Sequence, residues 1–227
     1  MNELISKKWT ELKAESSWFM FKIMSEFVEG FERLPKIGPC VSIFGSARTK
    51  PHHPNYEIAT KLAARLCNEG YGVITGGGPG VMEAANKGAH QVKGKSVGLG
   101  ITLPFETEAN KYIDPDKLFT FNFFFVRKVM FVKYAQAFVL LPGGFGTLDE
   151  FFEVLTLVQT RKVERVPIIL MGKSYWEGLH SWIQQVLAKD GYIDEKDGEI
   201  MHITDDIEEV ITIINKYYSS TGLKPNF

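Results

Sequence analysis

From residue 40 onward, short apolar runs alternate with longer stretches in which apolar positions recur at helical spacing. The runs are rich in Val and Ile and end in glycine-containing turns: CVSIFGSA, YGVITGGG, KSVGLGI, AFVLLPGG and VPIILMG. The helical stretches span residues 56–68, 81–90, 124–134, 147–160, 175–188 and about 205–218. Strands that are apolar throughout and alternate with helices are typical of a parallel sheet covered on both faces. The pattern predicts a Rossmann-like, doubly wound α/β domain over residues 39–227.

Residues 1–38 form a separate segment with a helical pattern of its own. Its apolar positions recur at helical spacing with Lys and Glu between them: Trp9, Leu12, Phe19, Ile23, Phe27, Phe31 and Leu34. The spacing predicts one or two amphipathic helices that end between Gly30 and Pro35, followed by a short linker. We expect the apolar face to pack on the main domain or on a second subunit. A helix on a membrane surface is the alternative, which a polar face of mixed charge disfavours.

Composition and charge narrow the classes of partner. The 227 residues carry 26 basic and 27 acidic side chains, so the basic excess that is typical of nucleic-acid-binding proteins is absent. The first residues are charged and lack the apolar core of a secretory signal, and no apolar stretch is long enough to span a bilayer. Cys40 and Cys67 form no CxxC motif and are expected to be buried thiols of a reducing compartment. We therefore expect a cytoplasmic protein that binds neither nucleic acid nor membrane.

Several familiar signatures are absent from the glycine-rich turns. No GxGxxG follows a strand, and the second strand ends in glycines where a dinucleotide-binding fold places an acidic residue, which disfavours NAD. Two GKS tripeptides lack the first glycine of a P-loop, and the chain contains neither HExxH nor GxSxG. The histidines and cysteines show no zinc-ligand spacing. We therefore expect a site that needs neither a metal nor an organic cofactor.

Three glycine-rich turns remain as candidate ligand-binding loops, at residues 45–48, 76–80 and 142–147. Each follows a strand and opens a helix, so backbone N–H groups and the positive end of the helix can face one anion. Three such turns at one sheet edge would suit a phosphate with a sugar or base beside it. The alternative is that tight strand–helix turns need glycine anyway, which explains any single turn equally well. The candidate binding residues in these loops are Gly45, Ser46, Gly77, Gly78, Gly143, Gly144, Gly146 and Thr147.

Three charged residues near these turns are candidates for chemistry. Thr147 and Glu150 fit T-x-x-E, a capping box in which Glu150 only satisfies the backbone N–H of Thr147. The same carboxylate, beside a glycine loop at a helix N-terminus, is equally suited to act on a ligand, and the sequence leaves both interpretations open. Arg127 and Lys128 lie in a strongly aromatic stretch and must reach either solvent or a buried anion. The planar guanidinium of Arg127 suits bidentate binding of phosphate or carboxylate better than Lys128 does.

Together these motifs resemble those of the Lonely Guy (LOG) family of nucleoside 5′-monophosphate phosphoribohydrolases, also labelled lysine decarboxylase-like. Residues 142–150 read PGGFGTLDE and match the family's PGGxGTxxE, while residues 127–128 precede it at the family's separation and residues 76–82 resemble its second glycine loop. The likeness covers roughly residues 40–200. It implies that Arg127 and Glu150 are catalytic. It also implies that the substrate is bound by the loop before Glu150 and by Lys128, Thr156 and Glu106.

The resemblance implies hydrolysis of the N-glycosidic bond of a purine nucleoside 5′-monophosphate to the free base and ribose 5-phosphate. A carboxylate would stabilise the oxocarbenium-like ribosyl group and orient or deprotonate water, while an arginine would hold phosphate or the charge on the leaving group. Residues 124–126 are Phe-Phe-Val where plant-type members have a Met-His pair, so AMP is as good a candidate as N6-modified AMP such as cytokinin riboside monophosphate. The family also implies a homodimer or higher homo-oligomer.

A non-catalytic carrier of a nucleotide or of a phosphorylated cofactor is the alternative function. Such a carrier would need the glycine loops but not both Arg127 and Glu150.

Overall fold

The computed structural model describes residues 2–103 and 109–227, with side chains from residue 17 onward, and contains a seven-stranded parallel sheet. The strands are β1 (Cys40–Phe44), β2 (Gly72–Thr75), β3 (Ser96–Ile101), β4 (Leu118–Phe121), β5 (Ala135–Leu140), β6 (Ile168–Met171) and β7 (Met201–Thr204). They lie in the order β4-β3-β2-β1-β5-β6-β7. The direction of winding therefore reverses between β1 and β5, and such a switch point opens a crevice at the carboxyl edge of the sheet.

Helices cover both faces of the sheet. One face carries α1 (Asn2–Arg33), α4 (Phe124–Tyr134), α5 (Phe145–Gln159) and α6 (Lys173–Trp182), and the other carries α2 (Pro54–Asn68), α3 (Val81–Gln91) and α7 (Ile207–Thr221). Each face of the sheet has its own apolar core, and the side chains of a strand alternate between the two. In β1, Cys40 and Phe44 belong to the first core, whereas Val41 and Ile43 belong to the second. Because both faces are buried, the central strands are apolar at every position. The Rossmann-like, doubly wound fold predicted from the sequence is confirmed.

The five predicted strands are present, and two further strands extend the sheet at its edges. β4 and β7 have four residues each and mix buried with half-buried and exposed positions, whereas β1, β2, β5 and β6 are buried throughout. Among the described residues, each edge strand pairs with a single neighbouring strand. An edge strand is partly open to solvent, so it lacks the continuous apolar run on which the prediction depended.

The amino-terminal helix α1 packs across α4 through its inner face. A Cβ on Gly30 would lie 2.5 Å from Met130 Cε, so glycine lets the two helices approach closely. Glu26 accepts hydrogen bonds from the backbone N–H of Asn122 (2.9 Å) and of Phe123 (3.4 Å), just before α4 begins. The expected packing on the main domain is therefore observed for this face.

Other apolar side chains of α1 are exposed: Trp18, Phe19, Met20, Phe21, Met24, Val28 and Phe31. Over the ranges that the structure describes, no helix combines the length and the apolar character needed to cross a membrane.

Candidate functional site

A cleft of about 1030 Å³ lies where the loops after β1 and β5 leave the sheet. Its lining includes both catalytic candidates, Arg127 and Glu150, which come from different helices, α4 and α5. It also includes six binding candidates: Gly45, Ser46, Gly143, Gly144, Gly146 and Thr147. The fold thus brings most of the residues singled out from the sequence to one cavity.

Hydrogen bonds tie the three glycine loops to one another. The backbone N–H of Ser46 donates to Pro142 O (3.1 Å), and the N–H of Val81 donates to Ser46 O (3.1 Å). From α6, the Tyr175 hydroxyl donates to Gly143 O at 2.6 Å. Ser46 therefore bridges the second and third loops through its own backbone, and Tyr175 fixes the third loop from the opposite side.

The helix after the third loop begins earlier than the T-x-x-E pattern indicates. α5 starts at Phe145, with Gly144 at the N-cap and no side chain capping the helix. The N–H of Thr147 donates to Gly144 O (3.0 Å), so Thr147 lies within the first turn and Glu150 in the second. The capping-box interpretation of Glu150 is therefore wrong, because Thr147 is not the N-cap and its N–H already donates to Gly144 O.

The Glu150 carboxyl lines the cleft but is almost completely buried, with 7% of the residue exposed. Its Oε2 accepts no hydrogen bond from any residue that the structure describes. Burial raises the pKa of Glu150 to about 7, although the charges of Lys128 and Arg127 pull that pKa down. A carboxyl group that titrates near neutral pH and keeps an oxygen free is suited to general base or acid catalysis.

Lys128 is engaged by protein carboxylates and is not among the residues that line the cleft. Its Nζ lies 2.7 Å from Asp149 Oδ2 and 3.3 Å from Glu153 Oε2, so it joins α4 to α5. Burial alone would lower the pKa of Lys128, but the hydrogen bond to Asp149 and the nearby carboxylates raise it above its ordinary value. Binding of the substrate by Lys128 stays a prediction. In the structure, the positive charge of Lys128 lowers the pKa of Glu150.

Arg127 reaches the cleft from α4 by passing the second glycine loop. A Cβ on Gly76 would lie 2.6 Å from Arg127 Nη2, so glycine at this position leaves the space that the guanidinium occupies. The guanidinium carbon lies 5.2 Å from the centre of the Phe131 ring, within cation–π range. The second loop thus contributes to the site by admitting Arg127.

Gly77 and Gly78 are held behind the cleft by a polar network and are not part of its lining. The Asn110 side-chain amide donates to Gly77 O and Gly78 O, both at 3.1 Å, and to Asn86 Oδ1 at 2.9 Å. The Thr75 hydroxyl donates to the same Asn86 oxygen at 2.6 Å. Sequence reasoning missed Asn86 and Asn110. A polar residue within the apolar face of α3 was the available signal for Asn86.

Of the two remaining candidates, Thr156 is not part of the cleft lining. Thr156 lies on an exposed part of α5, in a shallow depression that adjoins the cleft and shares Phe145, Leu148 and Asp149 with it. Its hydroxyl donates to Phe152 O (2.7 Å). Glu106 lies outside the described residues. Their roles in binding stay predictions.

The cleft also contains residues that sequence reasoning missed. The loop between β1 and α2 contributes a basic wall made of Arg48, Lys50, His52 and His53. Apolar parts of the lining come from Met82, Phe124 and Phe145, the last of which is 91% exposed. No group of three or more His, Cys, Asp or Glu side chains within residues 17–103 and 109–227 is placed to hold a metal ion.

Comparison with known proteins gives matches along most of the chain. A family model described as "Possible lysine decarboxylase" matches residues 82–214. A cytokinin riboside 5′-monophosphate phosphoribohydrolase from Mycobacterium marinum is 28% identical over 163 residues, which cover 71% of this chain and 86% of that protein. The Arabidopsis thaliana protein named cytokinin riboside 5′-monophosphate phosphoribohydrolase LOG7 is 26% identical over 200 residues, which cover 86% of each chain.

Solved structures share the architecture. The molybdenum cofactor binding protein from the phototrophic bacterium Rippkaea orientalis has a TM-score of 0.59 at 22% identity, and the match covers 79% of this chain and 97% of that chain. At this level of identity the likeness establishes the fold alone.

Proposed function

Because the chain belongs to the Lonely Guy family, whose model matches residues 82–214, we propose that it hydrolyses the N-glycosidic bond of a purine nucleoside 5′-monophosphate. The products would be the free base and ribose 5-phosphate. The names of the curated relatives support a hydrolase that acts on a nucleotide. The observation that carries the proposal is the convergence of Arg127 and the buried Glu150 carboxyl on one cleft, beside the loop that opens α5.

The start of α5 is the proposed binding site of the 5′-phosphate. Gly144 and Gly146 have no positive φ, and a Cβ on either would meet no atom within 4 Å. Neither backbone conformation nor packing therefore requires glycine at these positions. Bare backbone at a helix N-terminus lets an anion approach the N–H groups closely, and the helix dipole favours its charge.

Glu150 is the proposed catalytic base. The oxygen of a water molecule bonds to C1′ while the C1′–N9 bond breaks and its electron pair passes to the purine. The ionised Glu150 carboxylate accepts a proton from that water, and the departing base gains a proton from solvent. Arg127 stabilises negative charge on the phosphate or on the leaving group. A pKa of about 7 leaves a large fraction of Glu150 ionised at neutral pH.

The preferred base is either adenine or an N6-substituted adenine. Phe124 and Met82 line the cleft and offer apolar surface against which a purine ring can pack. The decisive experiment incubates the purified protein with AMP and with an N6-prenylated AMP, and follows the free base by chromatography. The matched control is Glu150→Gln, which keeps the side-chain shape and removes the carboxylate.

Free base from the wild type, but not from the folded Glu150→Gln variant, would support the proposal and show the preferred nucleotide. If neither protein releases base while AMP still binds, the chain is a carrier and the hydrolase proposal is wrong. Circular dichroism confirms that the variant is folded in either case.

We also propose that the chain forms a homodimer or higher homo-oligomer through α1. Trp18 is 72% exposed, Phe21 61% and Val28 62%, so apolar surface of this helix is uncovered. Packing of these side chains against a second copy of the chain would remove this apolar surface from water, which is energetically favourable. Sedimentation of the wild type and of a Trp18→Ser, Phe21→Ser variant tests this. A monomeric wild type, or an unchanged mass of the variant, would contradict the proposal.

A further inference from the structure

The basic wall, Arg48, Lys50, His52 and His53, gives the cleft a local charge that differs from that of the chain. The whole sequence has a formal net charge of −1. Arg48 and Lys50 are exposed, and neither forms an ion pair with any residue that the structure describes. These two cations therefore keep their hydrogen-bond donors available to a ligand that enters the cleft.

The carboxylates of the cleft do not offset this charge. Asp149 is paired with Lys128 at 2.7 Å. Burial raises the pKa of Glu150 to about 7, so part of the population is uncharged at neutral pH. Cations thus outweigh available carboxylate charge in the lining, which favours an anionic ligand.

The backbone of the basic wall is held in place relative to the third glycine loop. The N–H of Arg48 donates to Ser46 Oγ (3.1 Å), and the N–H of Ser46 donates to Pro142 O (3.1 Å). Farther along, the N–H of His53 donates to Lys50 O (2.9 Å). The loop is therefore pre-organised next to the glycines that precede α5, and its exposed residues Arg48 and Lys50 are part of the cleft lining.

We propose that Arg48, assisted by Lys50, recognises the phosphate of the substrate and makes the site select a nucleoside 5′-monophosphate over the corresponding nucleoside. This inference rests on the proposed function. The guanidinium donates two parallel hydrogen bonds to phosphate oxygens while the N–H groups at the start of α5 bind the same phosphate from the other side. Arginine is suited to this role because its planar donors match the geometry of a phosphate.

The test measures the affinity for AMP and for adenosine by calorimetry in the Glu150→Gln background, so that neither ligand is hydrolysed. Addition of Arg48→Gln is expected to weaken AMP binding about 10- to 100-fold, the usual range for loss of a charge-assisted hydrogen bond, and to leave adenosine binding unchanged. Arg48→Lys keeps the charge but not the planar donors, so its affinity for AMP should lie between that of the parent protein and that of Arg48→Gln. Lys50→Gln should weaken AMP binding less than Arg48→Gln does.

Lys189→Gln is the matched control, because Lys189 is exposed beyond the end of α6, is not part of the cleft lining, and its loss changes the net charge equally. Unchanged AMP binding in Arg48→Gln, or an equal loss for AMP and adenosine, would overturn the inference. A loss of AMP affinity in Lys189→Gln of the same size would overturn it as well. The calorimetric test measures affinity and does not depend on hydrolysis. Absence of turnover in the wild type would therefore contradict the proposed function, and the comparison of AMP with adenosine would still decide the role of Arg48.

Discussion

The second and third glycine loops are alike in sequence but are subject to different constraints. In the second loop, Gly77 has φ 78° and Gly80 has φ 71°, and a Cβ on Gly80 would lie 2.4 Å from Ser46 O. In the third loop, Gly144 and Gly146 have no positive φ and face open space. The second loop therefore needs glycine in order to fold. In the third loop only Gly143 is constrained by packing, against Thr147, whereas neither packing nor backbone conformation requires Gly144 or Gly146. We attribute those two glycines to the proposed binding of a ligand.

This difference separates two kinds of sensitivity. Substitutions in the second loop should lower the free energy of unfolding, because the backbone conformation or a neighbouring atom opposes a side chain. Substitutions around the start of α5 should impair binding or turnover and leave the fold intact.

The largest expected effect is on turnover in Glu150→Gln. Loss of a positioned general base should lower kcat about 10²- to 10⁴-fold, with KM changed little. Initial rates of base release from AMP measure this. Asp149→Asn is the comparison, since Asp149 is 60% exposed at its side chain and bonded to Lys128. A folded Glu150→Gln variant that retains wild-type turnover would mean that the buried carboxyl has no catalytic role.

Gly80→Ala is expected to have the largest effect on stability. Alanine at φ 71°, ψ −127° is strained, and its Cβ would overlap the backbone of Ser46 and Ala47, which cannot move freely. We expect a loss of about 2–4 kcal/mol in the free energy of unfolding, measured by urea denaturation. A variant as stable as the wild type would show that the second loop tolerates side chains and would remove the contrast between the loops.

Glu150 should also make stability depend on pH. Its pKa rises from an ordinary value of 4.5 to about 7 on folding, so between these pH values the folded chain binds more protons than the unfolded chain. The stabilising contribution is complete below about pH 4.5 and is lost as the pH rises through 7. Glu150→Gln should therefore match the wild type near pH 4.5 and exceed its stability by about 3 kcal/mol at pH 8. Urea denaturation at a series of pH values measures the difference, and a difference that does not vary with pH would contradict it.

The central fold could be predicted from the sequence, and so could the two residues that the structure brings to one cleft, Arg127 and Glu150, because both depend on local patterns. The catalytic role of the two residues stays a prediction. Buried parallel strands are apolar throughout, and Arg127 and Glu150 each lie at a fixed distance from a glycine motif. The start of α5 was misplaced because Gly144 caps the helix without a side chain, whereas Thr147 offered a cap that the helix does not use.

Contacts between distant segments could not be predicted in this way. The pairing of Lys128 with Asp149 and Glu153 depends on how α4 lies against α5, and the hydrogen bonds of Asn110 to Gly77 and Gly78 join residues more than 30 positions apart. Neither arrangement leaves a periodic signal in the chain. The basic wall was missed for a related reason, since its charges face the cleft only because β1 lies beside β5 at the switch point.

The smallest expected effects are those of replacing one of two helical glycines by alanine, Gly146 in α5 or Gly178 in α6. A Cβ on either glycine would face open space. Alanine should stabilise the fold by about 0.5–1 kcal/mol at either position, since glycine within a helix is unfavourable. Only Gly146→Ala should weaken AMP binding, by about 10-fold, because its methyl group would occupy the space that the phosphate needs next to the backbone. Thermal unfolding and calorimetry with AMP measure the two quantities. If both variants gain stability and both bind AMP like the wild type, the open space beside Gly146 is not reserved for a ligand, and the third loop differs from the second only in being less constrained.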